Sequence, residues 1–105
     1  MKSTRRIFSL LALFCATSVW AQADYPSKPI RLLIPFPPGG GTDFVSRVVG
    51  TKLAEVTKWS VVLENMPGAG GNLAIAAAAK AAPDGYTIVV GSSTTMAANN
   101  FLYKS

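Results

Sequence analysis

From Pro29 onward the sequence alternates between short apolar runs and helical patterns, and each run gives way to a turn rich in glycine or hydroxyls. Ile30-Arg31-Leu32-Leu33-Ile34 reads as a strand closed by Pro35, which cannot donate to a central ladder. Trp59 to Glu64 and Thr87 to Gly91 read as a second and a third strand. In the first helical stretch Phe44, Val45, Val48, Val49, Leu53 and Val56 recur at spacings of three and four. That spacing makes one apolar helical face, with Arg47, Thr51, Lys52 and Glu55 turned outward. Gly50 within it costs about 1 kcal/mol relative to alanine, which indicates either close packing or a weaker helix. The second stretch, Leu73 to Ala82, is alanine-rich and small on every side, and Met96 to Leu102 opens a third. Strand–helix–strand–helix–strand in so short a span predicts an α/β fold, a parallel sheet with flanking helices. Apolar strands of this kind suit a sheet covered on both faces.

In such sheets ligands bind beyond the carboxyl ends of the strands. Three loops leave those ends. The first, Pro35-Phe36-Pro37-Pro38-Gly39-Gly40-Gly41-Thr42-Asp43, joins a strand to a helix through three consecutive glycines. A turn of this kind exposes backbone N–H groups at a helix N-terminus, where the dipole favours a carboxylate or phosphate. The plainer alternative is a tight connection in which glycine merely permits positive φ. Phe36 and Pro38 would wall such a site, Gly39, Gly40 and Gly41 would present donors, and Thr42 or Asp43 would cap the helix. Asp43 suits fixing the loop better than touching an anion, because like charges repel. The second loop runs from Asn65 to Asn72 around Gly68-Ala69-Gly70-Gly71. The third, Ser92-Ser93-Thr94-Thr95, offers hydroxyl donors or serves only to cap the helix before Met96. Neither glycine cluster completes G-x-G-x-x-G, since the sixth positions are Phe44 and Leu73, and no Walker lysine follows. Trp59 and Tyr86 read as packing residues, Tyr25 as an anchor for the chain's start, and Arg31 as a face or edge residue. Pro83-Asp84-Gly85-Tyr86 has turn chemistry.

The first 23 residues read as an export signal, with Lys2, Arg5 and Arg6 ahead of the apolar stretch Leu10 to Trp20. Ala21-Gln22-Ala23 fits the small-x-small rule, so cleavage after Ala23 is expected. Thr4-Arg5-Arg6-Ile7-Phe8 resembles a twin-arginine signal, but Ser9-Leu10 departs from it and favours ordinary secretion. The formal charge of +5 is largely the leader's: from Asp24 onward seven basic and five acidic side chains are scattered without a stripe. Nucleic acid is therefore not an expected partner. The only cysteine, Cys15, lies in the leader, and histidine is absent. Disulfides, thiolate–imidazole chemistry and a soft-ligand zinc site are excluded beyond residue 23. No catalytic residue, metal or cofactor is assigned. A domain of this size buries only ~60% of its unfolded surface and is marginal without staples.

Several motifs in order carry a family resemblance: Tyr25-Pro26-Ser27-Lys28-Pro29-Ile30, Pro35-Phe36-Pro37-Pro38-Gly39-Gly40 with Asp43, Glu64-Asn65-x-Pro67-Gly68-Ala69-Gly70-Gly71-Asn72, and Ala82-Pro83-Asp84-Gly85-Tyr86-Thr87. Across residues 25 to 104 the chain resembles the Bug-type receptors, extracytoplasmic solute-binding proteins of tripartite tricarboxylate transporters. The resemblance implies a periplasmic binding protein type II, or Venus-flytrap, fold, of which residues 24–105 form part of the N-terminal lobe. It implies a receptor that holds a small carboxylate and delivers it to membrane permease subunits. It also implies that loops Phe36 to Asp43 and Ser92 to Thr95 help hold a ligand carboxylate, partly through water. Three departures stand out. The family commonly has arginine where Met66 stands and proline near Asn100, and its members are about three times as long.

The leading expectation is thus a segment of a periplasmic receptor that is not an enzyme. The rivals are an exported remnant without function and a Rossmann-like fragment of a nucleotide-using enzyme, which the incomplete fingerprints disfavour.

Overall fold

A computed structural model describes residues 24–103. The leader and its cleavage point after Ala23 lie outside the described residues. Three parallel strands form one sheet in the order β2-β1-β3: β1 is Ile30–Ile34, β2 Val61–Asn65 and β3 Thr87–Val89. Ile30 lies opposite Val61 and Ile34 opposite Asn65, while Arg31 to Leu33 pair with Thr87 to Val89. The central strand carries the core, with Ile30, Leu33, Ile34 and the following Pro35 fully buried. This is the parallel α/β arrangement expected from the alternating pattern.

Helix α1, Gly41–Thr57, crosses from β1 to β2, and helix α2, Asn72–Lys80, from β2 to β3. A 3₁₀ turn at Ala69–Gly71 precedes α2. After β3 a π-helical turn, Thr94–Ala98, runs directly into the short α3, Asn99–Leu102. This last helical segment therefore begins two residues before the expected Met96. The outer strands also shift, β2 starting at Val61 rather than Trp59 and β3 ending at Val89, although the Val90 amide still donates to Leu33 at 2.9 Å.

The orientation of α1 differs from expectation. Its buried positions are Asp43, Ser46 and Gly50, with Ala54 and Thr57 half-buried along the same side. The six apolar residues read as a core face are exposed, from 37% at Leu53 to 72% at Val56. Arg47, Thr51, Lys52 and Glu55 are exposed as expected. Close approach decides the matter. A Cβ built on Gly50 would lie 3.1 Å from a methyl of Leu63, so the helix settles onto β2 through its smallest side. Polar groups on the packed side are satisfied internally: the Ser46 hydroxyl donates to the Thr42 carbonyl at 2.6 Å and that of Thr57 to Leu53 at 2.7 Å.

At the strands' amino ends an aromatic cluster ties down the beginning of the described chain. The Tyr25 hydroxyl donates to the Gly85 carbonyl at 2.6 Å. The Tyr25 ring meets Trp59 edge-on at 5.9 Å and Tyr86 at 4.9 Å. Arg31 sits on an exposed face, paired with Glu64 at 2.7 Å. Among the described residues no helix is long and apolar enough to cross a membrane.

Candidate functional site

The three loops leaving the carboxyl ends of β1, β2 and β3 lie together at one end of the sheet. In the first, Pro35 is buried, Phe36 half-buried, and Pro37 through Gly41 exposed. Gly39 takes φ +88°, which a side chain would oppose. A Cβ at Gly39 or Gly41 would have no heavy atom within 4 Å, so this backbone faces open space. Helix α1 begins at Gly41 with Gly40 as its N-cap, and the first intrahelical bond runs from Phe44 N to Gly40 O at 2.9 Å. The amides at the start of such a helix have no partner within it.

Neither Thr42 nor Asp43 acts as the N-cap, because both lie inside the helix and no side chain caps Gly40. Asp43 instead reaches back along the loop. Its Oδ2 accepts from the Gly39 amide at 3.0 Å and from Arg47 Nε at 2.9 Å, and its Oδ1 accepts from Asn65 Nδ2 at 2.8 Å. Asn65 also donates to the Phe36 carbonyl at 3.0 Å and accepts from Arg47 Nη2 at 2.9 Å. The Arg47 guanidinium foremost, then the Gly39 and Asn65 amides, lower the Asp43 pKa from 3.8 to about 2. Asp43 is only 4% exposed. Of the three glycine amides, then, Gly39 is spent within the loop.

The second loop presses against the other two. Gly71 takes φ +94° and is buried; a Cβ there would lie 2.5 Å from Thr95 Cγ2, 3.1 Å from Pro35 Cβ and 3.6 Å from Phe36 Cζ. In the third loop Ser92 and Thr95 cap each other: Ser92 N donates to Thr95 Oγ1 at 2.9 Å, and Thr95 N to Ser92 Oγ at 3.3 Å. Thr95 is buried, while Ser93 and Thr94 are exposed. Asn99 crosses to the second loop, donating to the Gly70 carbonyl at 3.0 Å and to Asn72 Oδ1 at 2.7 Å.

Sequence reasoning placed Phe36 to Asp43 and Ser92 to Thr95 on the rim but missed the residues that hold the rim together. The i,i+4 spacing of Asp43 and Arg47 was the available signal for one of them. Nothing local connects Asn65 or Asn99 to their distant partners. Among the described residues no group of histidine, cysteine, aspartate or glutamate side chains is arranged to hold a metal.

A family profile described as "Tripartite tricarboxylate transporter family receptor" matches residues 45–105. Protein BugT of Bordetella pertussis is 42% identical over 93 residues, which are 85% of this chain and 28% of BugT. A UPF0065 protein of the same organism is 43% identical over 101 residues, 96% of this chain and 31% of that protein. Among solved structures, MatC from Rhodopseudomonas palustris with bound malate superposes with a TM-score of 0.73 at 38% identity, over 77% of this chain and 28% of MatC. A second R. palustris protein, solved with adipate, gives 0.65 at 37% over 68% of this chain and 24% of its own length. The periplasmic binding protein BugD gives 0.59 at 40%, over 62% of this chain and 22% of BugD. The chain thus spans under a third of the length of the relatives it matches. It belongs to the tripartite tricarboxylate transporter receptor family, the group that includes the Bug proteins.

Proposed function

We propose that the chain is part of the N-terminal lobe of an extracytoplasmic receptor, and that its first loop grips one carboxylate of a small organic acid. The observation that carries this reading is the exposed backbone of Gly40 and Gly41 at the start of α1, in a loop that Asp43 fastens through the Gly39 amide. A carboxylate fits such a site because helix N-terminal amides are donors without intrahelical partners and the helix dipole favours negative charge. Phe36 and Pro38 form the apolar wall, Gly40, Gly41 and Thr42 supply amides, and Ser93 and Thr94 face solvent on the same rim. Ser92 and Thr95 shape the third loop through their mutual bonds. The malate and adipate bound by the two R. palustris proteins support a carboxylate as ligand. The reading includes export with cleavage after Ala23, residence in the periplasm, and delivery of the solute to transporter permease subunits. It involves no catalytic step.

One lobe leaves the anion in water, where each contact is weak. The affinity of residues 24–105 should therefore be weaker than millimolar by calorimetry, and the contact is to be read by NMR. In the ¹⁵N-labelled chain, malate at tens of millimolar is expected to shift the amides of Gly40 to Thr42. Gly41→Pro deletes one donor at the first helical position, where proline is well accommodated. It should preserve the melting temperature and abolish most of the response. Unmoved first-loop amides, or a response to NAD in their place, would refute the proposal.

A further inference from the structure

One side of α1 leaves six apolar residues, Phe44, Val45, Val48, Val49, Leu53 and Val56, exposed along a single stripe. A groove of about 460 Å³ follows Val48, Val49, Leu53 and Val56. A second, of about 410 Å³, follows Phe44, Arg47 and Glu55. Val48 and Lys52 line both, so the two adjoin along the helix. A contiguous exposed apolar surface of this kind marks a place of contact.

The described chain begins beside one end of this stripe. Trp59 follows Thr57, the last residue of α1, by two positions, and the Tyr25 ring meets it edge-on at 5.9 Å. The bond from Tyr25 to the Gly85 carbonyl fixes it there. Whatever precedes Tyr25 therefore leaves the fold next to the Val56 end of α1. Ala21 to Asp24 reach at most ~14 Å when extended, enough to turn back onto the helix. Ahead of them, Leu10 to Trp20 is apolar except for Thr17 and Ser18 and carries no charge. Wound as a helix it would be ~16 Å long, and the rise along α1 from Phe44 to Val56 is ~18 Å. Point of departure, polarity and length all match.

We propose that, while the leader is attached, its apolar stretch Leu10 to Trp20 lies along the exposed side of α1 and covers it. The stretch runs in the same direction as α1, with Trp20 beside Val56 and Leu10 toward Phe44. Arg47, Lys52 and Glu55 edge the grooves and keep their charges in water, because the stretch brings no charge to bury against them. The tether makes the encounter intramolecular, so a contact too weak to hold two separate molecules suffices. Removal of residues 1–23 bares the face and frees it for association. This cover does not depend on the first loop binding a carboxylate.

Cys15 is the chain's only cysteine and lies inside the stretch, so a nitroxide attached to its sulfur reports where the stretch sits. The ¹⁵N-labelled full chain is made by cell-free synthesis, which retains residues 1–23. Amides of α1 from Val48 to Val56 should broaden strongly relative to the ascorbate-reduced sample, and those of α2 should change less. The double variant Val48→Asp, Val56→Lys, altered only on the exposed side, should abolish the broadening and leave the other amide shifts in place. No broadening along α1, or broadening that survives the double variant, would overturn the proposal. Equal broadening in a mixture with the nitroxide on one chain and ¹⁵N in another would put a second copy on the face and overturn it as well.

Discussion

Asp43 is a buried carboxylate whose bonds all stay within the protein: one amide of its own loop, one guanidinium a turn ahead, and one side-chain amide from the end of β2. Because its folded pKa lies at about 2, below the ordinary 3.8, the unfolded chain takes up this proton first as the solution is acidified. The stability it contributes is complete above the ordinary value and is lost as pH falls from there through the folded value. Thermal melts followed by circular dichroism across that window should fall more steeply for wild type than for Asp43→Asn, which should melt lower at neutral pH. Parallel acid limbs would contradict this. At this scale the sequence was partly legible. A negative residue beside an amide-rich turn reads as a loop fastener, and Asp43 is one. Arg47 reads as a solvated helix residue, since opposite charges four apart are common surface decoration. Asn65 joins the network only once β2 lies beside β1.

At the scale of elements, α1 separates two kinds of information. Spacings of three and four identified residues on a common side, and those residues do share a side. Periodicity does not say whether that side meets the sheet, and here Gly50 against Leu63 decides that it does not. Strand identity was easier to read, because β1 needs near-continuous apolar residues to be buried between neighbours. Strand and helix ends were less legible, since tertiary pairing sets them within a residue or two. The observed orientation has a measurable consequence. Val48→Asp, on the exposed side, should change unfolding free energy by less than about 0.5 kcal/mol. Leu33→Ala, in the buried centre of β1, should cost about 2–5 kcal/mol. Denaturant unfolding of both variants tests this, and a large loss for Val48→Asp would mean that α1 packs by its apolar side.

For the whole molecule, the described residues place much apolar surface in water. Phe44 and Val56 are 69% and 72% exposed, and a groove of about 410 Å³ runs past Phe44, Arg47, Val48, Thr51, Lys52 and Glu55. β2 and β3 stand outermost in the sheet, so each keeps one unpaired edge among the described residues. Apolar patches and free edges both favour association. Sedimentation velocity should show apparent mass rising with concentration, and a Val48→Asp, Val56→Lys double variant should lower it. A wild-type chain that stays monomeric throughout would contradict this. The family was legible from motif order alone, because its signatures lie in the connections at both ends of the strands.

Gly71 stands where Pro35, Phe36 and Thr95 converge, with no volume left for even one methyl group. The spacing of the three loops is therefore gauged by a hydrogen atom. A bulkier residue there would wedge the three strand ends apart together, and on the carboxylate reading proposed above it would weaken the grip from outside the gripping loop.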